Sequence, residues 1–148
     1  MNVFELSHLY YLFEETPCYS PKGLGLYTTE EHLHQAISYY QKQPGFCDAP
    51  NGFVVKRRTV TGEVTGDCVY EALVYAHTED YCDFEYDHSI GLFADCDTAE
   101  KELKVFCGDN ISFISDSSLV IEKMVVKCNL NVMDQWLEGF TVEALNEE

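Results

Sequence analysis

A chain of 148 residues that is 46% apolar is long and hydrophobic enough to bury a real core, which excludes intrinsic disorder. Its start, Met1-Asn2-Val3-Phe4-Glu5-Leu6, has no basic region ahead of a long apolar stretch, and no apolar run approaches bilayer length, so the sequence predicts a cytoplasmic protein that neither is secreted nor spans a membrane. The formal net charge is −17 and is unevenly spread: residues 1–66 hold five Lys/Arg against seven Asp/Glu, and residues 67–148 hold four against nineteen. Such a field repels phosphate backbones and anionic headgroups, arguing against nucleic-acid or membrane partners and favouring a basic protein.

In chain order, residues 2–12 and 22–28 are rich in Leu, Tyr, Phe and Val and flank Glu14-Glu15-Thr16-Pro17, which predicts two strands joined by a long loop. A helix follows, with Thr28 and Glu31 as its expected capping box and Leu33, Ala36, Ile37 and Tyr40 on one face; Pro44-Gly45 stops it. Residues 52–61 read as a third strand. The same order returns with strands near 68–77, 88–94 and 118–128, around a helix with an expected Asp97/Glu100 capping box and Ala99, Leu103 and Phe106 on one face. Residues 129–140 read as a polar extension, and Phe140 to Leu145 as an edge strand or docking tail.

The two passages match at a constant offset of 66. Val3-Phe4-Glu5 falls on Val69-Tyr70-Glu71, Gly25-Leu26-Tyr27 on Gly91-Leu92-Phe93, Ile37 and Tyr40 on Leu103 and Phe106, and Val54-Val55-Lys56 on Val120-Ile121-Glu122. The expected fold is α+β: a single domain over 1–148 made of two tandem strand–strand–helix–strand repeats, 1–66 and 67–148 with its extension. The repeats are expected to be related by a pseudo-twofold, in a mixed sheet with both helices on one face.

Gly25-Leu26-Tyr27-Thr28-Thr29-Glu30-Glu31, Pro44-Gly45-Phe46, Gly52-Phe53 and Trp136-Leu137-Glu138-Gly139-Phe140 resemble segments of a family of short bacterial proteins of unknown function. Members of that family read I-G-I-Y-S-S-E-E-E-A, then L-P-G-F and D-G-F, and close with W-x-E-G-F. The chain departs from them in being a tandem, with no W-x-E-G-F in its first copy and no P-G-F in its second. The resemblance implies a fold and no activity. The Gly-Phe pairs suit turns with a docking aromatic, and Trp136 with Phe140 suits a plug closing the core.

Motifs for chemistry are weak. Seven cysteines without a C-x-x-C pair argue against a disulfide framework or zinc ribbon, and Cys68, Cys107 and Cys128 read as small core residues. His32 and His34, two apart on a helix, cannot chelate together. His8 and His77 read as hydrogen-bonded strand histidines. His77, Asp80, Asp83 and His88 lack the spacing of a calcium loop. Cys96 precedes a helix, but Asp95 and Asp97 oppose a thiolate there. With no glycine-rich phosphate loop and no activated nucleophile, the sequence predicts a non-enzyme without metal or cofactor.

The informative segment is Glu79-Asp80-Tyr81-Cys82-Asp83-Phe84-Glu85-Tyr86-Asp87-His88, five acids interleaved with three aromatics between two strands. Carboxylates that speed encounter around rings that supply desolvated contact suit recognition of a basic protein. The competing reading is a half-buried strand, which alternates in the same way. Glu79, Asp80, Tyr81, Asp83, Phe84, Glu85, Tyr86 and Asp87 are therefore the expected partner-binding residues of an acidic immunity or inhibitor protein that neutralises a basic toxin such as a nuclease. The alternative expectation is a small-molecule or catalytic pocket between the repeats.

Overall fold

The alternation of apolar residues in the six long segments builds six strands of a mixed sheet. In a computed structural model, which describes residues 1–9, 22–47, 49–77, 84–110, 120–133, 136–137 and 140–141, these are β1 (Asn2–His8), β2 (Lys22–Tyr27), β3 (Phe53–Thr61), β4 (Cys68–His77), β5 (Phe84–Phe93) and β6 (Val120–Asn129). Helix α1 (Glu30–Tyr40) follows β2, α2 (Cys96–Asn110) follows β5, and a two-stranded hairpin of β7 (Trp136–Leu137) and β8 (Phe140–Thr141) lies in the expected extension. The sheet order is β2-β1-β3-β5-β4-β6. The fold is thus α+β with parallel and antiparallel pairs. No described helix is long and apolar enough to cross a membrane.

Two compact units divide the chain, and neither is one continuous stretch. One holds Met1 with Thr59–Cys128, the other Asn2–Arg58 with Asn129–Glu148. In the second of these, the face of α1 carrying Leu33, Ala36 and Tyr40 packs on the β1–β2 hairpin, burying Leu6, Leu24, Tyr27 and Phe46 with them. In the other, Ala99, Leu103 and Cys107, spaced four apart on α2, cover Ala72, Val74, Ala76 and Phe93 of β4 and β5. Each full burial of such a side chain contributes roughly 1.5–3 kcal/mol.

The two hairpins have the same register 66 residues apart. Phe4, Glu5 and Leu6 pair with Tyr27, Leu26 and Gly25, the register slips between Leu6 and Ser7, and Ser7 and His8 pair with Gly23 and Lys22. Tyr70, Glu71 and Ala72 pair with Phe93, Leu92 and Gly91, the register slips between Ala72 and Leu73, and Leu73 and Val74 pair with Ser89 and His88. In both, the glycine at the slip lies under the ring two residues on: a Cβ on Gly25 would stand 3.3 Å from the Tyr27 ring, and one on Gly91 3.3 Å from the Phe93 ring. Gly25 also has φ +112°, open to glycine at little cost.

Both expected capping boxes are displaced. Thr29 caps α1, its Oγ1 accepting from His32 N at 3.1 Å, and Asp95 caps α2, its Oδ1 accepting from Thr98 N at 2.8 Å. These caps are themselves 66 residues apart. Thr28 is not free to cap because its N–H donates to Asn131 Oδ1. Strand β5 begins at Phe84, not near residue 88, because the ladder to β4 continues to the His77–Phe84 pair. Nor does β3 find its parallel partner in its own copy: Val60 and Thr61 pair with Leu92 and Phe93 of β5.

Replacing Gly25 with Ala should cost about 1–3 kcal/mol, through the left-handed backbone and the Val132 carbonyl 3.0 Å from the added carbon. Gly23→Ala, which meets nothing within 4 Å, should stay within about 0.5 kcal/mol of the parent in the same urea titrations. Thr29→Ala should cost about 1 kcal/mol through the lost cap.

Candidate functional site

The acid–aromatic segment joins the paired ends of β4 and β5. Glu79, Asp80, Tyr81 and Asp83 lie outside the described residues; Phe84, Glu85, Tyr86 and Asp87 belong to β5, where Phe84, Tyr86 and Asp87 pair with His77, Ala76 and Tyr75. Half of the expected site is thus backbone of a ladder rather than loop. Strand pairing fixes where residues 84–87 stand, and it leaves six residues, 78–83, to connect His77 with Phe84.

Polar groups beside this end of the hairpin are tied to neighbouring elements. His77 is buried with Nε2 3.6 Å from Glu122 Oε2 on β6, a charge contact only when the ring is protonated. The His88 ring stacks on Phe106 of α2 at 5.2 Å, and Ser89 Oγ donates to Glu71 Oε1 at 2.7 Å. Several cations of the first 66 residues meet their own surface. Arg58 donates to Glu5 at 2.6 Å, Arg57 lies 5.5 Å from the Phe4 ring centre, and Lys22 lies 5.0 Å from that of Phe46. These contacts partly offset the first half's cations at short range, leaving the acidic second half to set the long-range field.

A buried histidine organises the other hairpin. His8 ends β1 fully buried, its Nε2 2.9 Å from the Ala49 carbonyl and its ring edge-on to Phe46 and Phe53 at 5.0 and 4.7 Å. Gly52 gives the ring room, since a Cβ there would stand 2.8 Å from Nε2 and 2.5 Å from the Leu9 carbonyl. The Pro-Gly-Phe and Gly-Phe segments therefore pack a strand histidine, in line with the docking role expected of their aromatics. Sequence reading placed His8 in a strand but missed this enclosure; the two Gly-Phe pairs were its signal. Burial holds the ring below the ordinary histidine pKa, the Ala49 bond opposes this, and Lys22 adds to it.

Chemistry elsewhere is muted. Cys96 stands at the start of α2 with Sγ 3.8 Å from Glu100 Oε1, and desolvation, then Glu100, Asp97 and Asp95, raise its pKa, which disfavours a nucleophilic thiolate. Among the described residues no group of three or more His, Cys, Asp and Glu is placed to hold a metal ion. A concavity of about 700 Å³ between α2 and β6 is lined by Glu100, Leu103, Lys104, Cys107 and Lys123, an apolar floor with charged walls and no nucleophile–base pair among those residues. Comparison with known proteins finds no family model that matches the chain, and no curated protein or solved structure that matches it significantly.

His8 gives the pH dependence a sign. Its folded pKa is depressed, so its contribution to stability is present above the unfolded value of about 6.5 and is lost as pH falls below it. Urea midpoints should fall between pH 7.5 and pH 5, and in His8→Asn, less stable at pH 7.5, that fall should be smaller. An equal fall in the variant would assign the acid sensitivity to other groups.

Proposed function

We propose that the protein is a non-enzymatic, cytoplasmic, acidic binding protein that occludes a basic protein, most concretely an immunity or inhibitor protein acting on a toxin such as a nuclease. The carrying observation is the distribution of charge: residues 67–148 hold nineteen Asp/Glu against four Lys/Arg, and five of those acids interleave with three aromatics across the connection from β4 to β5. In this reading Glu79, Asp80, Asp83, Glu85 and Asp87 face the partner's cationic groove, and Tyr81, Phe84 and Tyr86 anchor the contact. The acids set the encounter rate and the rings the lifetime of the complex.

The chain is further proposed to be a tandem duplication of a strand–strand–helix–strand unit, its copies related by a pseudo-twofold with both helices on one face and akin to the short bacterial family whose segments it resembles. The shared register slip of the two hairpins and the paired caps at Thr29 and Asp95 support duplication.

Affinity capture of basic proteins at low and moderate salt, with the parent and with Glu79, Asp80, Asp83, Glu85 and Asp87 all changed to Lys, tests the interface. The reversed protein should recover the partner at least tenfold less well, and its association rate should lose most of its salt dependence. Equal capture by both proteins would remove this segment from the interface.

A further inference from the structure

The strand that ends each half of the sequence finishes on the hairpin of the other half. After β6 the chain leaves its ladder and lies beside β2: Leu130 forms a parallel bridge with Leu26, and Asn131 N donates to the Leu26 carbonyl at 2.8 Å. Asn131, at φ 61°, turns its side chain onto Thr28, accepting from Thr28 N at 3.0 Å and donating to Thr28 Oγ1 at 3.1 Å. The Tyr27 hydroxyl reaches the Val132 carbonyl at 3.0 Å, the Tyr40 hydroxyl donates to the Met133 carbonyl, and Met133 packs on the core of α1 and the β1–β2 hairpin.

The converse joint lies in the other compact unit. The end of β3 runs parallel to β5, Val60 and Thr61 pairing with Leu92 and Phe93, and Ala94 N donates to the Thr61 carbonyl at 2.9 Å. Gly62 follows at φ +96°, where an added Cβ would stand 3.1 Å from Ala94 Cβ. Leu26 and Thr28 on one side correspond to Leu92 and Ala94 on the other at the offset of 66, and a residue of positive φ closes both joints. Each joint lies inside one compact unit and unites residues from opposite halves of the sequence.

We infer that the chain is a strand-exchanged pair fused into one polypeptide: the β2 edge at Leu26–Thr28, with Tyr27 and Tyr40, is a receptor for the extended segment 129–133, and it accepts that segment from a separate polypeptide as well as from its own. The inference rests on the proposed duplication only in equating the two joints. The partner is chemically defined: a strand end that offers a parallel backbone edge, an apolar residue where Leu130 lies, and an Asn able to adopt positive φ, a conformation that Asn tolerates better than most residues. The halves are joined through Gly62–Asp67, where Glu63, Thr65, Gly66 and Asp67 are exposed and outside any strand.

A protease site inserted between Thr65 and Gly66 of the full chain tests this, since it is cut only after the intact protein has folded. The cut halves should co-elute as one 1:1 species with the circular dichroism of the uncut chain, and the double change Asn131→Ala with Tyr40→Phe should raise their dissociation constant at least tenfold. Halves that separate on the column would overturn the inference. So would halves whose dissociation constant is unmoved by the double change, because something other than this joint would then hold them. Neither readout involves a basic partner, so failure here is distinct from failure of the inhibitor reading.

Discussion

The structure depends on the chain passing from one compact unit to the other within or beside its third strands, between Arg58 and Thr59 and between Cys128 and Asn129. Because Thr59–Thr61 and 129–133 finish units that their preceding residues do not build, the backbone groups of those hairpin edges are satisfied by distant sequence. Asn131 N on the Leu26 carbonyl and Ala94 N on the Thr61 carbonyl are two such bonds, and an unmade buried backbone bond costs about 1–3 kcal/mol. Loop closure is slow to reward such pairings, since the Thr28–Asn131 contact spans 103 residues, so folding is expected to be limited by these late contacts.

Around the two joints, small residues make room for large ones. Gly25 and Gly91 lie beneath the Tyr27 and Phe93 rings at the register slips, and Gly52 admits the His8 ring. In each case the glycine is required by a neighbour's volume rather than by a turn. His8 is then a fixed, preferentially neutral element: its enclosure by Phe46 and Phe53 stabilises the hairpin at neutral pH and penalises a charge there, as a buried imidazole does.

Much of this was legible in the sequence where the signal was periodic. Strands β1 to β4 and β6, both helical faces and the offset of 66 follow from apolar spacing. What escaped was decided at long range. Thr28 and Thr29 are chemically equivalent as caps, and the choice falls to Thr29 because Asn131 occupies Thr28. The acids at 85 and 87 depress strand propensity locally, yet pairing with β4 carries β5 through them. The parallel partner of β3 is set by the strand order of the sheet, which no local spacing encodes. Of the candidate site, its composition was readable and the pairing of residues 84–87 was not.

Charge and topology play separate parts in this protein: the joints hold the fold, and the acidic second half supplies the field a basic partner would feel. The most direct measurement of the topological claim is native-state hydrogen exchange at the Asn131 amide, compared with the Leu6 and Leu26 amides of the β1–β2 hairpin. If segment 129–133 is an integral strand of that unit, Asn131 should exchange with the same opening free energy as the hairpin. Exchange at Asn131 more than a thousandfold faster than the hairpin, about 4 kcal/mol less protected, would mean that the segment only rests on a unit complete without it.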